Sequence, residues 1–531
     1  MLATFRRALL SVAGFSLLFC LASRGQMALA QEHSPDVTSA TCNCCCATKP
    51  EYNPGVGIHL VDHDANYYQE LFTGTVIVGT QEGLSGQNTP WGLQSVMIWN
   101  LTHLSSPYFP YNTTAPVNIW WNESSTPSSE PFSATTWDTA TLGDNFGVTL
   151  DSNGNIYVGA TRIYYTKNAS SLGTGTANQK AGVIAKLANA TGTPSLFVQL
   201  PNDGNGIGNV YFDCGCQSLL ATNFYDGLIY EMDANGNVAY TWDHGANLAS
   251  AVDLLGNNLG LSPILGKDGN TSYAALGRRP WAVRVRNHRI YYSIWSQNWV
   301  AGQIRGTTPT QIWSVALDSE CGIVGPARLE VTLPLYNVTE GSGSAATNPV
   351  GDLSFAPQGT MIVAEKSMSN NGVPGAHNAR VLEFDPGATT WTLLPANYQR
   401  YRVGEYYVKT NASGGVDYDQ ATGRVSATGD ALHIYTDDIY GIQHFPLGGG
   451  TSLNSALTDM NDYVVQQNKT QIGDVKIPCP PADVNPLPSL PQLAFGGTQF
   501  LDVSSPPYRG PLVAKQDVRP VSSTGVSACP R

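Results

Sequence analysis

Four β-rich segments follow one another between residues 281 and 333: Trp281-Ala-Val-Arg-Val285, Arg289-Ile-Tyr-Tyr-Ser-Ile294, Gln311-Ile-Trp-Ser-Val-Ala-Leu-Asp318 and Arg328-Leu-Glu-Val-Thr-Leu333. Each is rich in β-branched and aromatic residues, and turns or longer polar loops separate them. This pattern is typical of an antiparallel sheet of four strands. A sheet of four short strands is also the unit from which β-propellers are built.

The same pattern recurs along the chain at intervals of roughly 65 to 70 residues. Four more clear copies begin near Phe146, Gln217, Asp352 and Gly415, and a weaker copy begins near Gly74. A single blade cannot bury both of its faces, whereas blades arranged around an axis cover one another. We therefore predict an all-β propeller, most simply of six blades with four antiparallel strands each, with seven blades as the alternative.

The N-terminus has the pattern of a signal peptide. Arg6 and Arg7 precede a mostly apolar run over 8–22, and Ala28-Leu29-Ala30 supplies the small residues of a cleavage site. The apolar run is shorter than the roughly 20 residues that a membrane-spanning helix needs. We expect residues 1–30 to be a signal peptide, no transmembrane segment in the mature chain, and a secreted, periplasmic or cell-surface location.

Between and beyond the repeats, composition divides the mature chain into three parts. Residues 31–70 form a Cys-rich segment that contains Cys42-Asn-Cys-Cys-Cys46, residues 71–450 form the propeller, and residues 451–531 form a Pro-rich C-terminal segment. In an oxidising compartment these cysteines are expected to form disulfides, although a soft metal bound at 42–46 is an alternative. Cys214-Gly-Cys216 is interpreted as half of two bridges rather than as a redox pair.

Charge and composition exclude some partners. The 531-residue chain has a net charge of −12 and only 13% charged residues. Nucleic acids and anionic membranes are bound by clustered Lys and Arg, and the sequence has no such cluster. The expected partner is instead a protein, a glycan or a small molecule.

Two strand–turn–strand phrases, at 148–158 and 353–363, resemble the blades of NHL-type propellers and of the gluconolactonase-like superfamily. The resemblance covers roughly residues 75–450 and concerns the pattern of the blades. It implies a propeller whose relatives include binding scaffolds and sugar-lactone hydrolases that use a divalent metal. A shared fold does not select among these activities.

A metal site is one hypothesis that this resemblance suggests. Asp144, Asn145, Asp352 and Asp417 lie at or near the starts of blades and could converge on the central channel, where their oxygens would suit Ca²⁺ or a similar divalent cation. The alternative is that they are turn and capping carboxylates. The turns Asp151-Ser-Asn-Gly-Asn155 and Asp233-Ala-Asn-Gly-Asn237 are interpreted as hairpin turns, since they lack the glycine and glutamate of a calcium-binding EF-hand loop.

An aromatic binding face is the second hypothesis. Its candidate residues are Trp281, Tyr292, Trp295 and Trp299, with Arg279 as a possible anion partner. Two functions therefore stay open: an exported propeller that binds a protein, glycan or small ligand without chemistry, and a metal-dependent, lactonase-like hydrolase with its site at the central channel. The sequence does not decide whether the protein is an enzyme.

Overall fold

A computed structural model shows the architecture of the repeat region. Every described residue belongs to the unit Pro54–Arg531. The described residues are 75–81, 95–100, 118–121, 136–163, 169–189, 191–268, 273–295, 308–337, 345–346, 348–370, 373–374, 377–387, 389–394, 400–406, 410–419, 423–433, 439–459 and 471–477. The predicted signal peptide, the Cys-rich segment and the chain from residue 478 onward lie outside them.

The described strands alternate with turns and loops in a regular order. Three strands come first: β1 Thr75–Gln81, β2 Val96–Asn100 and β3 Asn118–Trp121. Blade 1 contains β4 Asn145–Leu150, β5 Ile156–Ala160, β6 Val183–Leu187 and β7 Pro194–Gln199. Blade 2 contains β8 Ile207–Asp213, β9 Ser218–Asn223, β10 Leu228–Met232 and β11 Val238–Asp243. Blade 3 contains β12 Arg279–Arg286, β13 Arg289–Trp295, β14 Gln311–Leu317 and β15 Ile323–Thr332.

Two short hairpins border blade 4. They are formed by β16 Tyr336–Asn337 with β17 Ala345–Ala346, and by β20 Met368–Asn370 with β21 Val373–Pro374. Blade 4 itself contains β18 Val350–Phe355, β19 Met361–Glu365, β22 Val381–Pro386 and β23 Trp391–Leu394. Blade 5 contains β24 Ala412–Asp419, β25 Arg424–His433, β26 Ile439–Pro446 and β27 Ala456–Asp459, and β28 Gln471–Lys476 follows it.

Helices are short and lie between strands. They are α1 Thr139–Leu142, α2 Ala177–Lys180 and α3 His244–Asn247, with 3₁₀ turns at Leu248–Ser250 and Ser452–Asn454. No helix among the described residues has the length and apolar character needed to cross a membrane.

The ring closes through strands from both ends of this region. β28 pairs with β1, and β1 pairs with β2, which gives a three-stranded closing sheet. β3 adds to the outer edge of blade 5 by parallel pairing with β27. The innermost strands contact each other in the order β4, β8, β12, β18, β24 and β28, and β28 returns to β4. The propeller prediction is therefore confirmed.

The count and the boundaries differ in detail from the prediction. Among the described residues five sheets have four or more strands, rather than six, and the three-stranded closing sheet occupies the sixth position of the ring. The ring also continues past residue 450, because β27 and β28 pair within it. The second repeat begins with β8, ten residues before the predicted start at Gln217. All seven residues of β8 are buried, so the strand has no apolar–polar alternation to reveal it.

Apolar side chains fill the spaces between neighbouring blades. One cluster combines Leu220 and Ile229 of blade 2 with Val283 and Ile290 of blade 3. Similar clusters join blades 1 and 2, blades 3 and 4, and blades 4 and 5. Each blade is thus covered on both faces, which is why sheets of this size are stable only in a ring.

A β-bulge interrupts the first ladder of every sheet in the ring. Because the side chains of a strand alternate between its faces, the bulge sets which residues point to the axis. The positions just after the bulge carry apolar residues such as Val148, Val210 and Val416, which pack between blades. The next position toward the C-terminus carries these residues: Thr149, Tyr211, Arg284, Ser354, Asp417 and Lys476. The centre of the propeller is therefore largely polar.

Candidate functional site

The centre of the ring holds a buried ion pair between two blades. Lys476 Nζ lies 3.0 Å and 2.9 Å from the two carboxylate oxygens of Asp352, and both side chains are almost fully buried. Asp474, two residues before Lys476, is hydrogen-bonded to Asp352 and accepts a hydrogen bond from the Val148 amide at 3.2 Å. Lys476 and Asp474 thus attach the closing strand β28 to blades 4 and 1.

A second ion pair lies beside the first. Arg284 Nη1 is 3.0 Å from Asp417 Oδ1, and this carboxylate also accepts hydrogen bonds from Ser354 Oγ at 2.8 Å and the Ile477 amide at 2.9 Å. The guanidinium carbon of Arg284 lies 4.9 Å from the ring centre of Tyr211, a cation–π distance. Blades 2, 3, 4 and 5 all contribute to this network.

Burial and neighbouring charges shift the pKa values of Asp474 and Lys476. Burial raises the pKa of Asp474, and the carboxylate of Asp352 raises it further. Burial opposes the charge of Lys476, but the carboxylates of Asp352 and Asp474 outweigh that effect and raise its pKa. Two cations, Lys476 and Arg284, thus lie against the carboxyl groups of Asp352 and Asp417, with Asp474 beside them. Because an unpaired buried charge is costly, each cation needs such a partner.

Asp352 and Asp417 therefore do not fit a metal site. Each carboxylate is paired with a cation and accepts further hydrogen bonds. No group of three or more His, Cys, Asp and Glu side chains suited to a metal ion occurs in the part of the chain that the structure describes. The ionic network closes the axis at this level, and we derive no metal-dependent step from it.

The other two predicted metal residues lie at the start of blade 1. Asp144 is buried, and its carbonyl accepts a hydrogen bond from the Thr161 amide at 2.9 Å. Asn145 is also buried and donates from Nδ2 to the Gly143 carbonyl at 3.2 Å. These contacts belong to the loop that enters the blade. The structure does not join Asp144 and Asn145 with Asp352 and Asp417 into one group of ligands.

Aromatic rings gather at the end of the ring where the innermost strands begin, which we call the entry end. The aromatic cluster consists of Phe146, Phe224, Tyr273, Trp281 and Trp295, with Ile163 and Met368. Phe224 is in edge-to-face contact with Trp281 and Tyr273, at ring-centre distances of 5.1 Å and 5.6 Å. Trp281 and Trp295 are 5.8 Å apart. Blades 1, 2 and 3 supply residues to the aromatic cluster, and Met368 comes from the hairpin that borders blade 4.

Phe146 connects the aromatic cluster to the axis. A Cβ atom on Gly351 of blade 4 would lie 2.9 Å from Phe146 Cζ, and one on Gly414 of blade 5 would lie 3.2 Å from it. Phe146 therefore reaches from blade 1 across to the opposite blades. Glycine at these two positions leaves room for its ring.

Arg279 is the cation of the aromatic cluster. Its guanidinium carbon lies 4.9 Å from the ring centre of Tyr273 and 6.0 Å from that of Phe224. Nε donates to the Ala274 carbonyl at 2.8 Å, and Nη2 is paired with Asp268 Oδ2. Burial lowers the pKa of Arg279, and the Asp268 carboxylate opposes that effect.

The structure thus brings together three of the five predicted binding residues: Trp281, Trp295 and Arg279. Tyr292 lies elsewhere, between blades 2 and 3, where its hydroxyl accepts from Trp242 Nε1 at 3.2 Å and lies 3.1 Å from His244 Nδ1. Trp299 lies outside the described residues. The three residues are fully buried, so they lie within the packed interior of the entry end rather than on an open face.

A polar cluster adjoins the aromatic cluster beside Gly414. Lys366 is buried with its Cβ next to Gly414, and its Nζ donates to the Ile472 carbonyl at 3.2 Å. Ser413 Oγ donates to Asp430 Oδ1 at 2.7 Å. Burial lowers the pKa of Lys366 and raises that of Asp430, while each group's charge opposes the shift of the other. Lys366 and Asp430 are thus two buried titratable groups that influence each other at the entry end.

The two turns that superficially resemble calcium loops are hairpin turns, as predicted. Asp151 Oδ1 accepts from the amides of Asn153 and Asn155, both at 2.9 Å. Asp233 makes the equivalent bonds to Asn235 and Asn237. These carboxylates serve their own backbone turns.

Both cysteines of Cys214-Gly-Cys216 are disulfide-bonded, but not to each other. Cys216 is joined to Cys321, with a Cα–Cα distance of 5.8 Å, and Cys214 is also in a disulfide. The prediction of two separate bridges is confirmed. The Cys216–Cys321 bridge links a turn of blade 2 to a turn of blade 3.

Sequence patterns did not identify several of the residues at the centre of the ring. Asp474 and Lys476 were missed because residues after 450 were assigned to the Pro-rich segment. A signal was available, since Gly473-Asp474-Val475 repeats Gly351-Asp352-Leu353 of blade 4. Phe146, Phe224 and Tyr273 carry no motif, and their convergence depends on how the blades are arranged around the axis.

The chain was compared with family models, curated proteins and solved structures. No family model and no curated protein matches the chain. Among solved structures, a protein from Lactobacillus plantarum is 10% identical over 76% of this chain and 98% of its own, with a TM-score of 0.36. A protein of unknown function from Bacteroides caccae is 10% identical over 76% and 97%, also with 0.36. A gluconolactonase from Xanthomonas campestris is 12% identical over 68% and 87%, with 0.32.

We draw no conclusion on fold or activity from these values. The sheet order of the chain itself shows antiparallel four-stranded blades.

Proposed function

We propose that the protein is an exported β-propeller that acts as a binding scaffold and holds a small ring-containing ligand at its entry end. The observation that supports this most directly is the aromatic cluster, in which residues of blades 1, 2 and 3 and of the hairpin beside blade 4 converge around Phe224 and Trp281. Ligand sites in proteins are commonly lined by aromatic side chains with a few polar groups among them. Arg279 with Asp268, and Lys366 with Asp430, supply those polar groups.

The ionic network at the centre of the ring supports placing the ligand at the entry end. The side chains of this network are paired with one another and almost fully buried; they are those of Asp352, Asp417, Asp474, Arg284 and Lys476. A ligand entering along the axis would therefore stop at the level of Phe146. Two of the three carboxylates that a metal-dependent hydrolase was expected to use, Asp352 and Asp417, are part of this network, and this favours the scaffold.

Export is part of the proposal and rests on two features. The first is the pattern of residues 1–30, with its two arginines, apolar run and Ala28-Leu29-Ala30. The second is the presence of disulfide-bonded cysteines at 214, 216 and 321, since disulfides persist in oxidising compartments. N-terminal sequencing of the protein from the extracytoplasmic fraction tests this. We expect a start near Gln31, and an intact N-terminus in the cytoplasmic fraction would refute export.

Binding is tested by saturation-transfer NMR on the mature full-length protein, with cyclohexanol, glucose and p-cresol as separate probes. We expect transfer to at least one of these rings, and Trp295→Leu should abolish it by removing one wall of the aromatic cluster. Trp391→Leu, on the outermost strand of blade 4, is the matched control and should retain transfer. Absence of transfer to all three probes, or equal loss in both variants, would contradict the proposal.

A further inference from the structure

The Arg279–Asp268 pair leaves one donor and one acceptor unused. Arg279 Nη2 bonds to Asp268 Oδ2, and Arg279 Nε bonds to the Ala274 carbonyl. Arg279 Nη1 and Asp268 Oδ1 are both buried, and neither has a hydrogen-bond partner in the part of the chain that the structure describes. Arg279 and Asp268 are thus joined by one hydrogen bond, whereas a bidentate pair would have two. One N–H of Arg279 and one oxygen of Asp268 remain without a partner among the described residues.

Leaving these two atoms unpaired is costly. A buried donor or acceptor without a partner has lost its hydrogen bond to water and gained none in return. The side chains around the guanidinium are largely aromatic, with Tyr273 and Phe224 over its plane and Trp281 beyond Phe224. Ring faces are weak acceptors. A ligand that supplied one acceptor and one donor here would recover hydrogen bonds that the protein does not make for itself.

Charge limits what that ligand can be. The positive charge of Arg279 is already balanced by Asp268. An anion would satisfy Arg279 Nη1 but would add an unbalanced buried negative charge next to Asp268. A cation would add an unbalanced buried positive charge next to Arg279. An uncharged ligand avoids this cost.

We propose that the entry end binds an uncharged planar ring compound that carries a neighbouring acceptor and donor, such as a carboxamide or a lactam. Its carbonyl accepts from Arg279 Nη1, its N–H donates to Asp268 Oδ1, and its ring packs against the aromatic cluster. This inference rests on the proposed function, because it names the ligand class of the same site.

Three probes of nearly identical shape test it on the mature wild-type protein: benzamide, benzoate and benzamidine. Benzamide has both a donor and an acceptor, benzoate has acceptors and a negative charge, and benzamidine is a cationic donor. Binding is followed by the fluorescence of the protein, because Trp281 and Trp295 lie in the cluster. We expect benzamide to bind roughly tenfold or more tightly than either ion, since one mispaired buried group costs about 1.4 kcal/mol or more.

Asp268→Asn provides a second measurement. This change removes the charge that balances Arg279, so the preference should shift from benzamide toward benzoate. Glu320→Gln, at an exposed turn of blade 3, is the control and should keep the wild-type order. The wild-type order alone tests the inference if Asp268→Asn does not fold.

Failure of the proposed ligand class and failure of the proposed function give different results. Tighter binding of benzoate or of benzamidine by the wild-type protein would overturn the inference, and so would equal binding of all three probes. If none of the three binds while cyclohexanol, glucose or p-cresol still does, the inference fails and the proposed function stands. If no ring compound binds at all, the proposed function fails with it.

Discussion

Lys476 bonds to Asp352 across the intervening innermost strand of blade 5. In the ring, β28 is adjacent to β24, and β24 is adjacent to β18, yet the Nζ of Lys476 reaches both carboxylate oxygens of Asp352 within 3.0 Å. A strand near one end of the chain is therefore tied to a blade that is not its neighbour. Such a contact resists opening of the ring, because it is lost when the closing sheet separates from blade 5.

The first prediction concerns this bond. Lys476→Met should lower the free energy of unfolding by about 3–5 kcal/mol, because it leaves Asp352 as a buried carboxylate without its cation. Lys180→Met, at the partly exposed end of α2, should change it by less than about 0.5 kcal/mol. Urea unfolding followed by circular dichroism measures both. Similar losses in the two variants would show that the buried pair has no special role.

The second prediction concerns Asp474 and pH. Burial and the Asp352 carboxylate raise the pKa of Asp474 well above its usual value, whereas in the unfolded chain it ionises near pH 4. Above that pH the folded protein retains a proton that the unfolded chain has released. The free energy of unfolding therefore falls as pH rises, until Asp474 also ionises in the folded state.

Asp474→Asn cannot ionise and can still donate to Asp352. We expect its unfolding free energy to decrease less than that of the wild type between about pH 4 and pH 8. Urea unfolding at a series of pH values measures the two curves. Parallel curves would mean that Asp474 does not hold a proton in the folded protein.

The blades were predictable because their outer strands alternate and their turns carry strong signals. The turns at Asp151 and Asp233 have the Asp, Asn and Gly residues that hairpins favour, and the structure contains them as expected. The innermost strands were harder to predict. β8 is buried on both sides, and β28 lies beyond a segment that separates it from the repeats.

The candidate site was only partly predictable, since it depends on which blades face each other. Trp281, Trp295 and Arg279 lie on consecutive strands of blade 3, so their proximity follows from one hairpin. Phe146 and Phe224 come from other blades and meet them only in the closed ring. Asp352 and Asp417 lie on innermost strands, but nothing in their local sequence shows that Lys476 and Arg284 pair with them.

The third prediction concerns the bridge between blades 2 and 3. Cys216 and Cys321 are 105 residues apart, and closing a loop of about this length stabilises the folded state by roughly 4.7 kcal/mol in the chain-entropy model. Replacing both by Ala should lower the unfolding free energy by about 2–5 kcal/mol. Urea unfolding without reductant measures this. Equal stability of variant and wild type would contradict it.

The fourth prediction separates backbone strain from crowding at the axis. Gly147 of β4 and Gly256 of a surface loop have nearly the same φ, +87° and +83°. A Cβ on Gly147 would lie 2.8 Å from both Asn209 Oδ1 and the Val210 amide nitrogen, whereas no atom of the described residues lies within 4 Å of one on Gly256. Gly256→Ala should cost about 1–2 kcal/mol from its left-handed backbone alone.

Gly147→Ala should cost that amount and about 1–3 kcal/mol more, since the methyl group must displace backbone in a packed strand. Urea titrations give the loss of unfolding free energy in each variant. Subtracting the loss in Gly256→Ala from the loss in Gly147→Ala removes the backbone contribution that the two share. Asn209 donates to the Gly351 carbonyl of blade 4 at 2.8 Å, so a shift at position 147 disturbs contacts across the axis. A difference near zero would mean that β4 can move away from β8, and that the innermost strands are not rigidly packed around the axis.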